Sequence, residues 1–273
     1  FKGGIKPGAM PWKNRYIGNP ALSGILRLFF RTSIGDSHCG LRALTRQTLD
    51  RLRLSSTGME FASEMVLKSA LLRLRIDEVP ATLSPDGRGR PPHLNPWRDG
   101  LRHMFYMLIL SPTWLFLLPA LVLGTFGIAV LSALVIHGEE NMVQIGAFGI
   151  GDHWAVVAAA AIIVSAQMAF FGCAAWLKGY QDGFRIPTPF VQRLLELSRL
   201  QYWMAAGMAL LLVGLAWAAS ITGGWIRSNA GPLDEVRALL AAATFIILGS
   251  QVFFGGFLLS IISGNRSRHA IGS

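Results

Sequence analysis

Cysteine is nearly absent from this chain: Cys39 and Cys173 are the only two in 273 residues. One lies in a polar stretch and the other in an apolar one, with no CxxC pair and no Cys/His cluster. A disulfide framework is excluded, and no zinc site is indicated. Acidic residues are also scarce, 15 Asp and Glu against 25 Lys and Arg, which leaves a formal charge of +10. Charge is missing altogether from four long apolar runs, 114–136, 153–177, 202–225 and 238–262, none of which holds an Asp, Glu, Lys or Arg. Intramembrane charges mark ion and proton pathways, so their absence points to an anchor and away from a conduit.

Those apolar runs dominate the composition, which is 52% hydrophobic with a mean hydropathy of +0.44. Each run exceeds the roughly 20 apolar residues needed to cross a bilayer. Trp114, Trp154, Trp176, Tyr202, Trp203 and Trp225 sit near the run ends, as interfacial aromatics do. The only amides deep in the runs are Gln167 and Gln251, expected to hydrogen-bond between helices. Small residues, Ala158 to Ala161 and Gly255-Gly256, would let helices approach closely. The first interspan loop carries Glu139, Glu140 and Asp152, whereas the second carries Lys178, Arg185, Arg193 and Arg199. The third is nearly balanced, and the tail holds Arg266 and Arg268. Basic loops stay inside, so residues 1–112, the second loop and both termini are expected in the cytoplasm.

Nearly all of the net positive charge lies in residues 1–112. A basic half could suit nucleic acid. Beside membrane spans it suits anionic lipid headgroups, and no nucleic-acid partner is expected. Asn19 as a cap and Pro20 at the first position predict a helix through Arg31. A second short helix is expected over 45–52. The pattern GMEFASEMVLKSALLR over 58–73 predicts the clearest helix, burying Met65, Leu67, Leu71 and Leu72. Residues 75–83 alternate as a strand, with Pro80 marking an edge or an end, and the Gly/Pro-rich residues 84–96 read as a loop. Trp97, Leu101, Met104, Phe105 and Leu108 recur at helical spacing, with Arg98, Arg102 and His103 opposite. That pattern, and Phe190, Leu194 and Leu197 beside Arg193 and Arg199, predict basic amphipathic helices lying on the membrane surface. Helix, strand and loop make half of an α/β unit, and one strand cannot form a sheet.

Three clusters could carry chemistry. Glu60, Glu64 and Lys68 share a helix face at i, i+4 spacing, either as substrate-facing carboxylates or as a surface ladder. Asp36, His38, Cys39 and Arg42 crowd one short segment. Its spacing matches no standard metal site, and Arg42 suits a phosphate. Arg88, Arg90, His93, Arg98 and Arg102 lie in and just after the Gly/Pro loop, where cations and backbone amides could bind a lipid-linked phosphate or simply reflect the inside bias of positive charge.

The blocks GAMPWKNRYIGNP, GDSHCGLRALTR, GMEFASEM, IDEVPATLSPDGRGRPPHL and WRDGLRH resemble, in order, the C-terminal part of a family-2 glycosyltransferase. Within that family they look most like the polyprenol-phosphate sugar transferases, similar to dolichol-phosphate mannose synthase. The resemblance covers residues 1–112, and the spans match it only in type. It implies the C-terminal part of an α/β nucleotide-diphospho-sugar transferase domain over 1–112, with a juxtamembrane amphipathic helix. An all-α membrane domain of four transmembrane helices, 113–273, would follow. It also implies inverting transfer from a UDP- or GDP-sugar to a polyprenyl phosphate, with magnesium or manganese held by a DxD-like motif.

Carried onto this sequence, the resemblance places Arg15 at a basic position after the metal motif, Asp36 and Arg42 in the sugar and phosphate pocket, and Glu60 and Glu64 at an acidic helix start. Arg88 and Arg90 fall in a loop that closes over the site. His93 stands where dolichol-type relatives more often carry a Ser-Lys pair. Asp36, Glu60 and Glu64 are thus the expected catalytic residues, and Arg15, Arg42, Arg88, Arg90 and His93 the expected substrate ligands. No DxD occurs here, so the metal ligands are expected upstream. The chain begins Phe1-Lys2-Gly3-Gly4, without an initiator Met. The expectation is a C-terminal piece, inactive alone, of a multi-pass protein of a bacterial inner membrane that could form homo-oligomers. The alternative is a non-enzymatic four-span protein, such as a lipid-linked-sugar flippase partner or a small transporter.

Overall fold

The computed structural model describes residues 3–36, 39–56, 60–85, 87, 96–137, 143–145, 148–186, 188–197, 199–231 and 235–263. The chain divides into two compact units. The first combines residues 1–114 with 179–186, and the second holds 115–178 and 187–273.

The first unit is helical. A wide π-type turn, Asn14–Gly18, runs straight into α1, Asn19–Phe30, so Asn19 is inside the helix and does not cap it. Pro20 still lies in the first turn, where its missing N–H costs nothing. Helix α2 spans Arg46–Leu52, and the Thr45 hydroxyl accepts the Thr48 N–H at 3.2 Å as an N-cap. Helix α3 spans Glu60–Leu71 and α4 spans Pro96–Ile109. Leu26 of α1, Leu67 of α3, Met107 of α4, Leu110 just after it, and Ile34 form the core, with Phe184 packed against it. Leu67 and Leu72 are buried, whereas Met65 and Leu71 are half-buried.

Two expectations are corrected. Residues 75–83 are extended but form no regular strand. Among the described residues of this unit, the only pairing is a parallel bridge between Ile5 and Leu83, flanked by Gly3 N–H to Ala81 O (3.2 Å) and Lys6 N–H to Leu83 O (2.9 Å). Two short extended segments leave most ladder groups without partners, so the expected α/β character is not shown here. In helix α4 one residue, His103, departs from the expected face. His103 is buried with Met107, while Leu101, Phe105 and Ile109 are exposed beside Arg98 and Arg102. The reason is polar satisfaction: Ser63 Oγ lies 2.7 Å from His103 Nδ1, which lets the imidazole enter the core.

The second unit is the membrane part. A π-type turn, Thr113–Leu117, starts in the first unit and leads into α5, Leu118–His137. Helices α6 (Asp152–Gln181), α8 (Leu200–Arg227) and α9 (Val236–Ile262) complete four helices long and apolar enough to cross a membrane. Between α5 and α6 lies a small antiparallel hairpin, β1 Val143–Ile145 with β2 Phe148–Ile150, in register Gln144 to Gly149. Helix α7, Pro189–Leu197, packs Leu194 against Leu177 and Leu259.

Helices α8 and α9 meet at glycines: a Cβ on Gly249 would stand 2.5 Å from the Leu211 backbone nitrogen, and one on Gly207 2.5 Å from that of Phe253. Such backbone contact is what small residues permit where apolar burial gives no driving force. Ser165 Oγ donates to Ala120 O at 2.7 Å, joining α6 to α5. Arg237, buried at the start of α9, donates to Asp152 Oδ1 at the start of α6 at 2.7 Å. The amides do not bridge helices as expected: Gln167 is exposed, and Gln251 Oε1 is buried without a hydrogen bond among the described residues.

Candidate substrate site in the polar unit

The segment Ile34–Arg42 follows α1, whose final Arg31 turns into the left-handed region (φ 50°) and redirects the chain. Glu78, on the extended 75–83 segment, holds this loop. Its Oε1 accepts the Gly35 N–H at 2.8 Å and the Asp36 N–H at 3.3 Å. Arg42 closes the other end, its Nε donating to Cys39 O at 2.9 Å and its Nη1 to Ala62 O on α3. Asp36 and Arg42 therefore share one loop pinned between α3 and the extended segment. Burial pulls the Arg42 guanidinium below its ordinary pKa, while Cys39 and Asp36 oppose that shift. Arg42 stays cationic at any physiological pH.

Glu64 and Lys68 form a buried pair, not a surface ladder: Lys68 Nζ lies 2.6 Å from Glu64 Oε1, with side chains 9% and 0% exposed. The Glu64 carboxylate also accepts the Ser55 N–H at 3.1 Å, the Ser55 hydroxyl at 3.1 Å and the Ser56 N–H at 2.9 Å. Burial pushes its pKa up, but the bonds from Lys68, Ser56 and Ser55 outweigh that and hold it at about 2. Lys68 also donates to Arg53 O at 2.8 Å. Glu64 and Lys68 thus tie residues 53–56 to α3. The carboxylate is enclosed and already receives four donors.

The remaining expected residues are spread. Arg15 is exposed on the Asn14–Gly18 turn, its guanidinium 5.4 Å from the Tyr16 ring centre. Glu60 opens α3. Arg88, Arg90 and His93 lie outside the described residues. Among the described residues, no three His, Cys, Asp or Glu side chains come together as a metal site. Sequence reasoning missed Glu78 and the Ser63–His103 pair. A lone carboxylate in an extended segment has no local signature, and Ser63 and His103 lie 40 residues apart.

A strap from the second interspan loop completes the unit. Lys68 Nζ sits 5.9 Å from the centre of the Phe184 ring. Arg185 is buried, donates through Nη2 to Leu110 O at the end of α4, and has its pKa drawn down to about 10 by that burial.

Residues 173–263 match the family described as glycosyltransferase family 2 C-terminal transmembrane region. The chain is 31% identical over 260 residues to the low-salt glycan biosynthesis hexosyltransferase Agl6 of Haloferax volcanii, covering 95% of this chain and 61% of that protein. It is 31% identical over 96 residues to glycosyltransferase AglJ of the same organism, covering 35% of this chain and 31% of that protein. The chain thus spans less than two thirds of the length of either relative. No solved structure matches it. By these likenesses the chain is similar to glycosyltransferases, and its residues 173–263 resemble the C-terminal transmembrane region of family 2.

Proposed function

We propose that this chain belongs to a membrane-bound enzyme that transfers a sugar, with inversion, from a UDP- or GDP-sugar to a polyprenyl phosphate. The observation that carries the reading is the likeness to a hexosyltransferase along 95% of the chain, which takes in the Asp36–Arg42 loop and the spans alike. It favours an enzyme over a flippase partner or small transporter.

The chemistry suits the residues. A phosphate monoester is an anion at neutral pH, so one of its oxygens attacks the sugar C1 without a strong general base. The bond from C1 to the nucleoside diphosphate breaks, and the diphosphate leaves with the electron pair. Catalysis then rests on alignment and on cations placed against the migrating charge. In the proposal Arg42 holds a phosphate oxygen and Asp36 orients the sugar hydroxyls. Glu60, Arg15, Arg88, Arg90 and His93 contribute as the resemblance implies, and Glu64 keeps α3 and residues 53–56 in place. The described side chains do not make up a magnesium or manganese site, and no step is routed through one. The exposed stripe Leu101, Phe105 and Ile109, flanked by Arg98 and Arg102, suits a surface of anionic lipid, where a polyprenyl phosphate would present its head.

The test is direct. Membranes containing the protein expressed from its complete gene receive radiolabelled UDP-glucose or GDP-mannose and undecaprenyl phosphate. A labelled lipid is expected, and its yield should fall at least about 100-fold in Asp36→Asn and Arg42→Ala if these residues act at the reacting groups. No labelled lipid from any common donor would overturn the reading.

A further inference from the structure

Beside the strap lies a second cationic space. A cavity of about 240 Å³ is lined by Arg51, Arg53, Ser55, Lys68, Asp182 and Gly183, together with Leu52 and Phe184. The backbone builds it. Arg53 ends α2 in the left-handed region (φ 44°), which turns its carbonyl onto Lys68 Nζ. Gly183 is also left-handed (φ 77°), and a Cβ there would stand 3.8 Å from Arg53 Nη1.

Lys68 is 7% exposed and spends two of its three N–H donors, on Glu64 and on Arg53 O, which leaves one for an occupant of the cavity. Glu64 neutralises that ammonium, so the field comes from elsewhere. The guanidiniums of Arg51 and Arg53 make no hydrogen bond or ion pair with the described residues. Against them the cavity wall sets one carboxylate, Asp182. Two forked guanidiniums, a buried ammonium donor and a serine hydroxyl around one small space match the several oxygens of a phosphate better than the two of a carboxylate.

We propose that this cavity binds a phosphate group, carried either by a lipid headgroup or by a small soluble molecule. Residues 182–184 follow directly on the membrane helix α6, which ends at Gln181, so a headgroup source is within reach of the chain's own layout. The volume admits a phosphate with part of the group attached to it. Binding pins the strap to α2 and α3. The proposal is independent of sugar transfer, and its test reads no product.

The full chain is placed in phosphatidylcholine nanodiscs and amide hydrogen exchange is followed over residues 179–186. One arm titrates inorganic phosphate against chloride at equal ionic strength. The other replaces part of the lipid with phosphatidic acid. Saturable slowing of exchange in the phosphate arm supports a soluble ligand, and slowing only with phosphatidic acid supports a lipid-borne one. The exposed pair Arg51→Gln with Arg53→Gln should weaken the effect at least about tenfold. Asp182→Asn should strengthen it about threefold by removing the opposing charge. No slowing in either arm, or slowing unchanged in the double variant, overturns the proposal.

Discussion

Replacing Glu64 by Gln should unlock the polar unit while leaving its shape nearly unchanged. The amide keeps the volume but loses the charge, so the Lys68 ammonium, only 9% exposed as a side chain, is left without its counter-ion. The carboxylate's pKa, about 2 against the ordinary 4.5, corresponds to about 3 kcal/mol at 1.36 kcal/mol per unit. That agrees with the roughly 3–5 kcal/mol lost when one partner of a buried pair is removed. In a unit of about 120 residues, 3 kcal/mol lowers the melting temperature by roughly 10–15 °C.

The full chain in detergent, heated stepwise and pulsed with protease, reports this directly, with cleavage inside residues 60–71 scored by mass spectrometry. The companion variant removes both charges. Glu64→Gln with Lys68→Met should recover at least half of the loss, because no buried charge remains and methionine follows the lysine stem. A Glu64→Gln melting point within 2 °C of the parent, or a double variant as weak as the single one, would refute the reasoning.

Other consequences are quicker to check. Because the folded pKa of Glu64 lies below the unfolded one, its contribution is present in full above about pH 4.5 and is lost as pH falls towards 2; urea unfolding at pH 6 and pH 3 should show the drop. Ser63→Ala removes the hydroxyl beside the buried His103 ring and should cost about 1–3 kcal/mol, read as faster hydrogen exchange in α3 and α4. Gly249→Leu places a side chain where a Cβ already stands 2.5 Å from the Leu211 nitrogen. It should loosen the α8–α9 pair by about 1–3 kcal/mol, visible as protease cleavage between the helices at lower denaturant. Arg42→Lys keeps the charge but loses the fork that joins Cys39 O to Ala62 O; it should restore less than about a tenth of parental lipid labelling.

The four spans were legible because long runs without charge have few other uses, and α2 was expected over 45–52, though the Thr45 cap that starts it was not read from the sequence. The Glu64–Lys68 pairing was legible from its i, i+4 spacing, but its burial was not. Spacing fixes which residues meet on a helix and says nothing of which side faces in. The same ambiguity misled on α4, where both faces carry apolar residues and the position of His103 was decided by Ser63 on another helix. The segment 75–83 alternates like a strand, yet a strand is defined by its neighbours, and the described neighbours offer one bridge. The Asp36–Arg42 loop was visible as a cluster of functional residue types, whereas Glu78, which holds it, carried no local signal at all.

The strap at 179–186 gives this protein an order of assembly. Phe184 packs against the core of the polar unit and Arg185 on the end of α4, but these residues are made only after α5 and all of α6. A ribosome must deliver two membrane helices before the unit ahead of them can finish folding. Until α6 has turned the chain back, Leu110 O lacks the Arg185 donor and Lys68 lacks its aromatic cover. The polar unit is thereby discontinuous in sequence, and the domain bearing Asp36 and Arg42 takes its last pieces from beyond two spans.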